Sequence, residues 1–160
     1  MKQSPIGIQD FRKIVEGGFL YVDKTEIIYK LINNSACFLS RPRRFGKSLL
    51  ISTLEEIFLG HEELFKGLWI EHSGYKWPVH PVIRIDFSKI PSSDISIFEE
   101  ELNQKLFEIG QANEITLDRH PSPAGKAGSL IKDLYRKTKQ KVVILIDEYD
   151  SPIISNNNIS

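Results

Sequence analysis

The sequence has a single cysteine, Cys37, among 160 residues, so neither a disulfide nor a cysteine-based zinc site can form within one chain. Its place in an apolar segment predicts a small core residue. The four histidines, His61, His72, His80 and His120, show no metal-ligand spacing and are interpreted as surface or packing residues. Long hydrophobic runs are also absent, and no apolar signal-peptide core follows the first residues. The sequence therefore predicts a cytoplasmic protein without a membrane span.

The sequence also has no excess of positive or of negative charge. The 21 basic and 21 acidic residues cancel, so the net charge gives no indication of a nucleic-acid partner or of an anionic membrane surface. With 41% hydrophobic and 26% charged residues, the composition is that of an ordinary globular protein. A chain of 160 residues is long enough to bury a core. We therefore expect one α/β domain with no internal repeat or linker.

An apolar run changes into a basic loop between residues 36 and 50, which read ACFLSRPRRFGKSLL. This pattern predicts a strand ending at Leu39, then a phosphate-binding loop, then a helix that begins at Lys47. Backbone N–H groups at a helix N-terminus lack intrahelical partners and lie at the positive end of the helix dipole, so they attract phosphate oxygens. We expect Lys47 to reach the β- and γ-phosphates and Ser48 to hold Mg²⁺.

The general phosphate-loop pattern requires a glycine at the position of Arg41, so the match is incomplete. The cations that surround this position favour phosphate binding over a solvated basic turn, because a phosphate group needs positive charge around it. The predicted nucleotide-binding residues are Arg43, Arg44, Phe45, Gly46, Lys47 and Ser48.

A second element with chemical meaning occupies residues 141–149, which read KVVILIDEY. This aliphatic run stops at Asp147 and Glu148, as expected for a buried parallel strand with a Mg²⁺ site at its carboxyl end. We expect Asp147 to hold the metal through water and Glu148 to orient or deprotonate the attacking water. Residues 142–146 taken alone fit a plain core strand equally well. The combination with a phosphate loop favours the catalytic interpretation.

The remaining segments predict helices and one further strand. Residues 81–87 alternate as a strand that places Arg84 and Asp86 opposite Ile83 and Ile85. For Asp86 the pattern favours an ordinary polar residue of an edge strand over one that faces the nucleotide. Helices are expected over residues 10–16, over 23–34 with Asp23 and Glu26 as a capping box, and over 129–137 after a loop at 120–125. A helix over 47–58 is expected to face the sheet with Leu50, Leu54, Ile57 and Phe58. Another helix, from Asp94 onward, is expected to place in the core Ile95, Phe98, Leu102, Leu106 and Phe107.

Three segments together resemble the predicted AAA-ATPase-like family, whose members are P-loop proteins often followed by a PD-(D/E)XK nuclease-like domain. These segments are YVDKT at 21–25, RPRRFGKS at 41–48 and IDEYDSP at 146–152. The resemblance covers nearly the whole chain and accounts for Arg41 where a glycine was expected. It implies an ATP-binding, Mg²⁺-dependent ATPase on a RecA-like (ASCE) parallel sheet flanked by helices. Residues 1–34 would be a helical lead-in and 36–155 the nucleotide-binding core of one P-loop domain, 1–160.

The resemblance also implies a sensor strand between the loop strand and the carboxylate strand, and a later arginine finger, neither of which follows residue 152 in this sequence. We therefore expect an incomplete P-loop domain from a longer parent that contains a nuclease-like domain or forms a homo-oligomer. The chain alone is expected to be poorly stable or to self-associate. The alternative function is a non-hydrolysing nucleotide-binding remnant or interaction module. The lack of a guanine-reading Asn/Thr-Lys-X-Asp motif favours ATP over GTP.

Overall fold

Five α-helices and two strands are present in the computed structural model, which describes residues 2–34, 36–40, 42, 44–91, 94–117 and 122–151. The chain divides into two compact units, Met1–Val79 and His80–Ser160. Across the described ranges, no helix has the length and apolar character needed to cross a membrane. The protein is thus a mixed α/β chain with a core in each unit.

Helices make up the first unit. They are α1 (Phe11–Glu16), α2 (Thr25–Ile32) and α3 (Lys47–Phe58), followed by the short 3-10 helices Glu62–Phe65 and Trp69–His72. The Asp10 carboxylate accepts a hydrogen bond of 2.9 Å from the Lys13 N–H and so caps α1. The predictions of helices over 10–16 and 47–58 are confirmed.

The core of the first unit is rich in aromatic side chains. Its buried members are Phe11, Ile28, Ile57, Leu64, Phe65 and Ile70. The ring of Phe11 stacks on Phe65 with 4.6 Å between centroids, and Tyr21 meets Phe11 edge-on at 4.9 Å. Leu50 and Leu54 of α3 pack against the same cluster. The sequence predicts that Leu50 and Leu54 face a sheet, but the described residues of this unit contain no strand. The two side chains pack against the aromatic cluster instead.

Helix α2 begins later than predicted, and the capping box does not form. The Asp23 carboxylate accepts hydrogen bonds from the Thr25 N–H at 2.8 Å and the Thr25 hydroxyl at 2.7 Å. Its other oxygen accepts a hydrogen bond of 2.7 Å from the Trp69 N–H. Glu26 instead pairs with Lys30 at 2.9 Å, one turn further on. The prediction was wrong because Asp23 closes a local turn and anchors a distant segment, which competes with helix capping.

The predicted strand before the phosphate loop does not form in the described residues of this segment. Residues 36–40 belong to no strand, and Cys37 is exposed where a core position was expected. Phe38 is exposed as well. A buried strand needs ladder hydrogen bonds to a neighbour and apolar cover for its side chains. An apolar run in a sequence does not reveal whether that neighbour exists, which is why this prediction failed.

The second unit contains a two-stranded parallel sheet, with β1 (Val82–Asp86) beside β2 (Val143–Asp147). The strands pair in register from Val82 opposite Val143 to Asp86 opposite Asp147. A 3-10 helix (Phe87–Lys89), then α4 (Ile95–Ala112) and α5 (Pro123–Thr138), connect them. Because the connection contains helices, the strands can run parallel and end at the same edge. The full RecA-like sheet stays a prediction.

Helices α4 and α5 cover the apolar side of β1. The buried cluster consists of Ile83, Ile85, Ile90, Leu106, Leu117, Leu130 and Leu134. The alternation predicted for β1 is confirmed, because Ile83 and Ile85 are buried while Arg84 and Asp86 are partly exposed. Phe98 and Leu102 pack against the cluster as predicted. Ile95 is exposed instead, because it lies in the first turn of α4, directly after the cap at Asp94.

Helix α5 begins at Pro123, six residues before the predicted start at Ser129. The Ser122 hydroxyl accepts a hydrogen bond of 3.2 Å from the Gly125 N–H and caps the helix. Proline suits the first helical position because its fixed φ is already helical and no N–H partner is needed there. Residues 122–125, which read SPAG, therefore cap and begin α5, whereas the sequence predicts a loop there.

Strand β2 ends at Asp147 as predicted, but only one of its faces is buried. Leu145 and Asp147 are buried, whereas Ile144 is 47% exposed and Ile146 is 44% exposed. In the described sheet β2 has a neighbour on one side only. The helices cover Ile83 and Ile85 of β1 and leave the paired side chains of β2 partly exposed. The prediction of a fully buried strand was therefore wrong.

Candidate functional site

The loop before α3 adopts a conformation that favours glycine. Gly46 has a φ of 74° and occupies the N-cap position of α3, and Arg44 also has a positive φ of 67°. Two left-handed residues so close together turn the chain sharply into the helix. Phe45 between them is exposed. Lys47 and Ser48 form the first two helical positions and are partly exposed.

The N-terminus of α3 has no side-chain cap, because its N-cap residue is a glycine. The first helical hydrogen bond runs from the Leu50 N–H to the Gly46 carbonyl at 2.9 Å. The N–H groups of Lys47, Ser48 and Leu49 therefore have no carbonyl acceptor within the helix. No acidic residue lies in the first turn. A helix start of this kind can bind an anion, because the positive end of the helix dipole lies there.

The carboxylate end of β2 places Asp147 and Glu148 next to one another. Asp147 is the last residue of the strand and is 4% exposed, and one of its oxygens accepts a hydrogen bond of 3.1 Å from the Glu148 N–H. Glu148 has a φ of 50°, a left-handed conformation that is unfavourable for a side chain of this kind. The Ser151 N–H donates to the Glu148 carbonyl at 2.9 Å and closes a turn. The backbone thereby changes direction at the predicted catalytic residue.

Asp86 lies beside Asp147 at the same edge of the sheet. Its carboxylate accepts hydrogen bonds from the Ser88 N–H at 3.1 Å and the Ser88 hydroxyl at 2.6 Å, and pairs with the Lys89 ammonium at 3.1 Å. Burial alone raises the pKa of Asp86, but the hydrogen bonds from Ser88 and Lys89 outweigh burial, so that this pKa lies below its ordinary value of 3.8. Asp86 is therefore ionised at neutral pH.

The predicted site residues fall in both units, and each part is positioned by its own elements. Arg44, Phe45, Gly46, Lys47 and Ser48 lie in the first unit, and Asp147 and Glu148 lie in the second. Arg43 falls outside the described residues. Their roles stay predictions.

The buried Asp147 carboxylate at the end of β2 is a suitable ligand for a cation. In the described part of the chain the only partner of the Asp147 carboxylate is the Glu148 N–H. A buried carboxylate without a cation is costly, so an oxygen-seeking metal ion such as Mg²⁺ fits this position. No group of three or more histidine, cysteine or acidic side chains able to hold a metal occurs among the described residues. A metal there would need its remaining ligands from water or from a bound phosphate.

A polar cluster that the sequence did not reveal connects α1 to the end of α3. Arg12 donates to both Glu56 oxygens, at 3.1 and 2.7 Å, and His61 Nδ1 lies 2.6 Å from one of them. The Phe11 N–H also donates to the Ser52 hydroxyl at 2.9 Å. These contacts fix the helix that begins at the phosphate loop. No local pattern signals the contacts of Arg12 with Glu56 and of Phe11 with Ser52, because these partners are more than 40 residues apart.

Comparison with known proteins agrees with the motifs. The family model described as "Predicted AAA-ATPase" matches residues 5–160. A protein of Azotobacter chroococcum mcd 1, described as an uncharacterized protein in the vnfD 5' region, is 43% identical over 158 residues, which are 97% of this chain and 30% of that protein. The chain thus spans less than a third of the length of this relative. No solved structure matches the chain.

Proposed function

The chain belongs to the family of predicted AAA-ATPases, and from this premise we propose that it binds ATP together with Mg²⁺ and contributes to ATP hydrolysis. Residues 43–48 contact the phosphates in this proposal. The observation that carries the proposal is the start of α3, where Gly46 leaves the N–H groups of the first turn without a side-chain cap. A phosphate group satisfies such groups better than water does, because it also interacts with the helix dipole.

The side chains at this helix start complete the phosphate site. Lys47 supplies a positive charge, and Arg43 and Arg44 supply further cations from the loop. A unit charge about 4 Å from a phosphate oxygen contributes around 4 kcal/mol at an effective dielectric constant near 20, before desolvation is subtracted. Removing Lys47 is therefore expected to lower nucleotide affinity by at least tenfold.

The hydrolytic step is assigned to the carboxylate edge. Bound Mg²⁺ would neutralise phosphate charge, with the Ser48 hydroxyl and the Asp147 carboxylate as the groups that hold it. Glu148 orients the attacking water and accepts its proton. The left-handed backbone of Glu148 and the hydrogen bond from its N–H to Asp147 define the direction in which the Glu148 side chain leaves the main chain.

Titration of the chain with a fluorescent ATP analogue, for wild type and for Lys47→Ala, tests the binding part. Lys30→Ala is the matched control, because Lys30 lies in an exposed pair with Glu26 in the same unit. We expect Lys47→Ala alone to lose affinity. Equal affinity in wild type and Lys47→Ala would contradict the phosphate-loop assignment.

Release of inorganic phosphate, measured beside affinity, tests the hydrolytic part. Glu148→Gln is expected to keep affinity and to lose most of any turnover, because an amide preserves the shape of the side chain but cannot accept a proton. Turnover equal to wild type would place catalysis elsewhere. Tight binding without phosphate release in wild type would support the alternative of a non-hydrolysing nucleotide-binding module.

A further inference from the structure

The two strands of the second unit bring two carboxylates together where they end. Asp86 is the last residue of β1, Asp147 is the last residue of β2, and the two are paired in register. Paired positions of parallel strands lie about 4.8 Å apart, and their side chains point to the same face of the sheet. Asp86 and Asp147 therefore lie on the same face of the sheet, at the edge where ligands bind in parallel sheets.

Their surroundings differ in a way that indicates a cation. Asp147 is 4% exposed, and within the described ranges its carboxylate is met only by the neutral Glu148 N–H. The Asp86 side chain is 17% exposed and pairs with Lys89. Among the described residues, one carboxylate thus has a counter-ion and the other does not. A buried carboxylate that is met only by a neutral N–H favours the uptake of a cation.

The Asp86 carboxylate is arranged so that one oxygen is fixed and the other can exchange its partner. Ser88 donates its N–H and its hydroxyl to Oδ1, while Lys89 pairs with Oδ2. The Lys89 side chain is 78% exposed, so that its ammonium loses little by moving into water. Mg²⁺ commonly keeps several of its waters and is held by one or two carboxylates. A metal-bound water can take the place of the ammonium at Oδ2.

We propose that Asp86 is a positioning residue of the metal site, which accepts a hydrogen bond from a water of the Mg²⁺ shell beside Asp147, with Lys89 as its counter-ion in the metal-free protein. The inference rests on the proposed function, because it assigns Asp147 to the metal.

Binding of Mn²⁺ alone to the full chain, followed by the electron paramagnetic resonance signal of the free ion, tests the proposal without requiring turnover. Asp86→Asn is expected to weaken Mn²⁺ binding about tenfold, the size typical of an outer-shell partner. Asp133→Asn is the matched control, because this carboxylate pairs with Arg136 on the surface of α5 and has the same change of charge. Asp147→Asn is expected to abolish binding.

A second variant keeps the test informative if Asp86→Asn fails to fold. Lys89→Met removes only the counter-ion and is expected to tighten Mn²⁺ binding about threefold. Unchanged Mn²⁺ affinity in both Asp86→Asn and Lys89→Met, with loss in Asp147→Asn, would overturn the role of Asp86 and leave the metal role of Asp147 intact. No Mn²⁺ binding in wild type, or equal binding in wild type and Asp147→Asn, would overturn both.

Discussion

Replacement of Gly46 by alanine is expected to weaken nucleotide binding more than it weakens the fold. Gly46 has a φ of 74°, and a Cβ added there meets no heavy atom within 4 Å. The perturbation is therefore confined to the backbone, with no steric clash. Gly74 provides a matched control, because its φ is 77° and its surroundings are equally open, yet it lies after the second 3-10 helix and outside the loop.

The magnitude follows from the cost of the left-handed conformation for a residue with a side chain. That cost is about 1–2 kcal/mol, so both Gly46→Ala and Gly74→Ala are expected to lower the free energy of unfolding by up to this amount. In Gly46→Ala the loop can relax to another conformation when no nucleotide is bound. Binding must then restore the left-handed geometry, which lowers affinity by about 5- to 30-fold.

Two measurements test this prediction: chemical denaturation gives the free energy of unfolding of each variant, and titration with a fluorescent ATP analogue gives its nucleotide affinity. We expect a smaller loss of stability in Gly46→Ala than in Gly74→Ala, because the loop at Gly46 relaxes in the free protein, with a loss of affinity in Gly46→Ala alone. Wild-type affinity in Gly46→Ala would refute the requirement for a left-handed Gly46. An equal loss of affinity in Gly74→Ala would show that the effect comes from general destabilisation.

Three further predictions concern the fold. Burial alone raises the pKa of Asp23, but hydrogen bonds from Trp69 and Thr25 outweigh burial and hold this pKa below 3.8. The contribution of Asp23 to the free energy of unfolding is therefore present above pH 3.8 and is lost as the pH falls through the pKa of the folded protein. Asp23→Asn should cost about 1 kcal/mol near neutral pH and less in acid, as urea denaturation at several pH values can measure. Arg12→Met leaves the buried Glu56 without its bidentate partner, although His61 stays beside it. The loss should be about 2 kcal/mol of stability, most of it recovered when Glu56 is also replaced by methionine; no recovery in the double variant would contradict this. The chain should self-associate in size-exclusion chromatography and Ile144→Thr should reduce this association, because in the described sheet β2 is an edge strand with an exposed apolar face; a wild-type monomer would contradict the prediction.

Sequence patterns predicted the elements that depend on local chemistry. The starts of α1, α3 and α4 and the end of β2 follow from capping residues, helical spacing and the change from aliphatic residues to carboxylates. The start of α5 was misplaced because proline and glycine were interpreted as loop residues, although proline suits the first helical turn. The error lies in position and not in the type of element.

Features that depend on distant partners could not be predicted in the same way. The segment 36–40 has the composition of a strand, but a strand exists only where a neighbour supplies hydrogen bonds. The contacts of Asp23 with Trp69 and of Arg12 with Glu56 join residues more than 40 positions apart. For Asp86 the sequence left two interpretations open, and only the register of β1 on β2 places it beside Asp147.

The central claim, that the uncapped N–H groups at the start of α3 bind phosphate, is tested most directly by two-dimensional NMR of the ¹⁵N-labelled chain. Spectra would be compared on addition of ATP with Mg²⁺ and on addition of adenosine, which lacks phosphate. We predict that ATP shifts the amide signals of Gly46, Lys47, Ser48 and Leu49 more than other amides, and that adenosine leaves these four signals in place. Unchanged signals of these four amides at saturating ATP would contradict the claim.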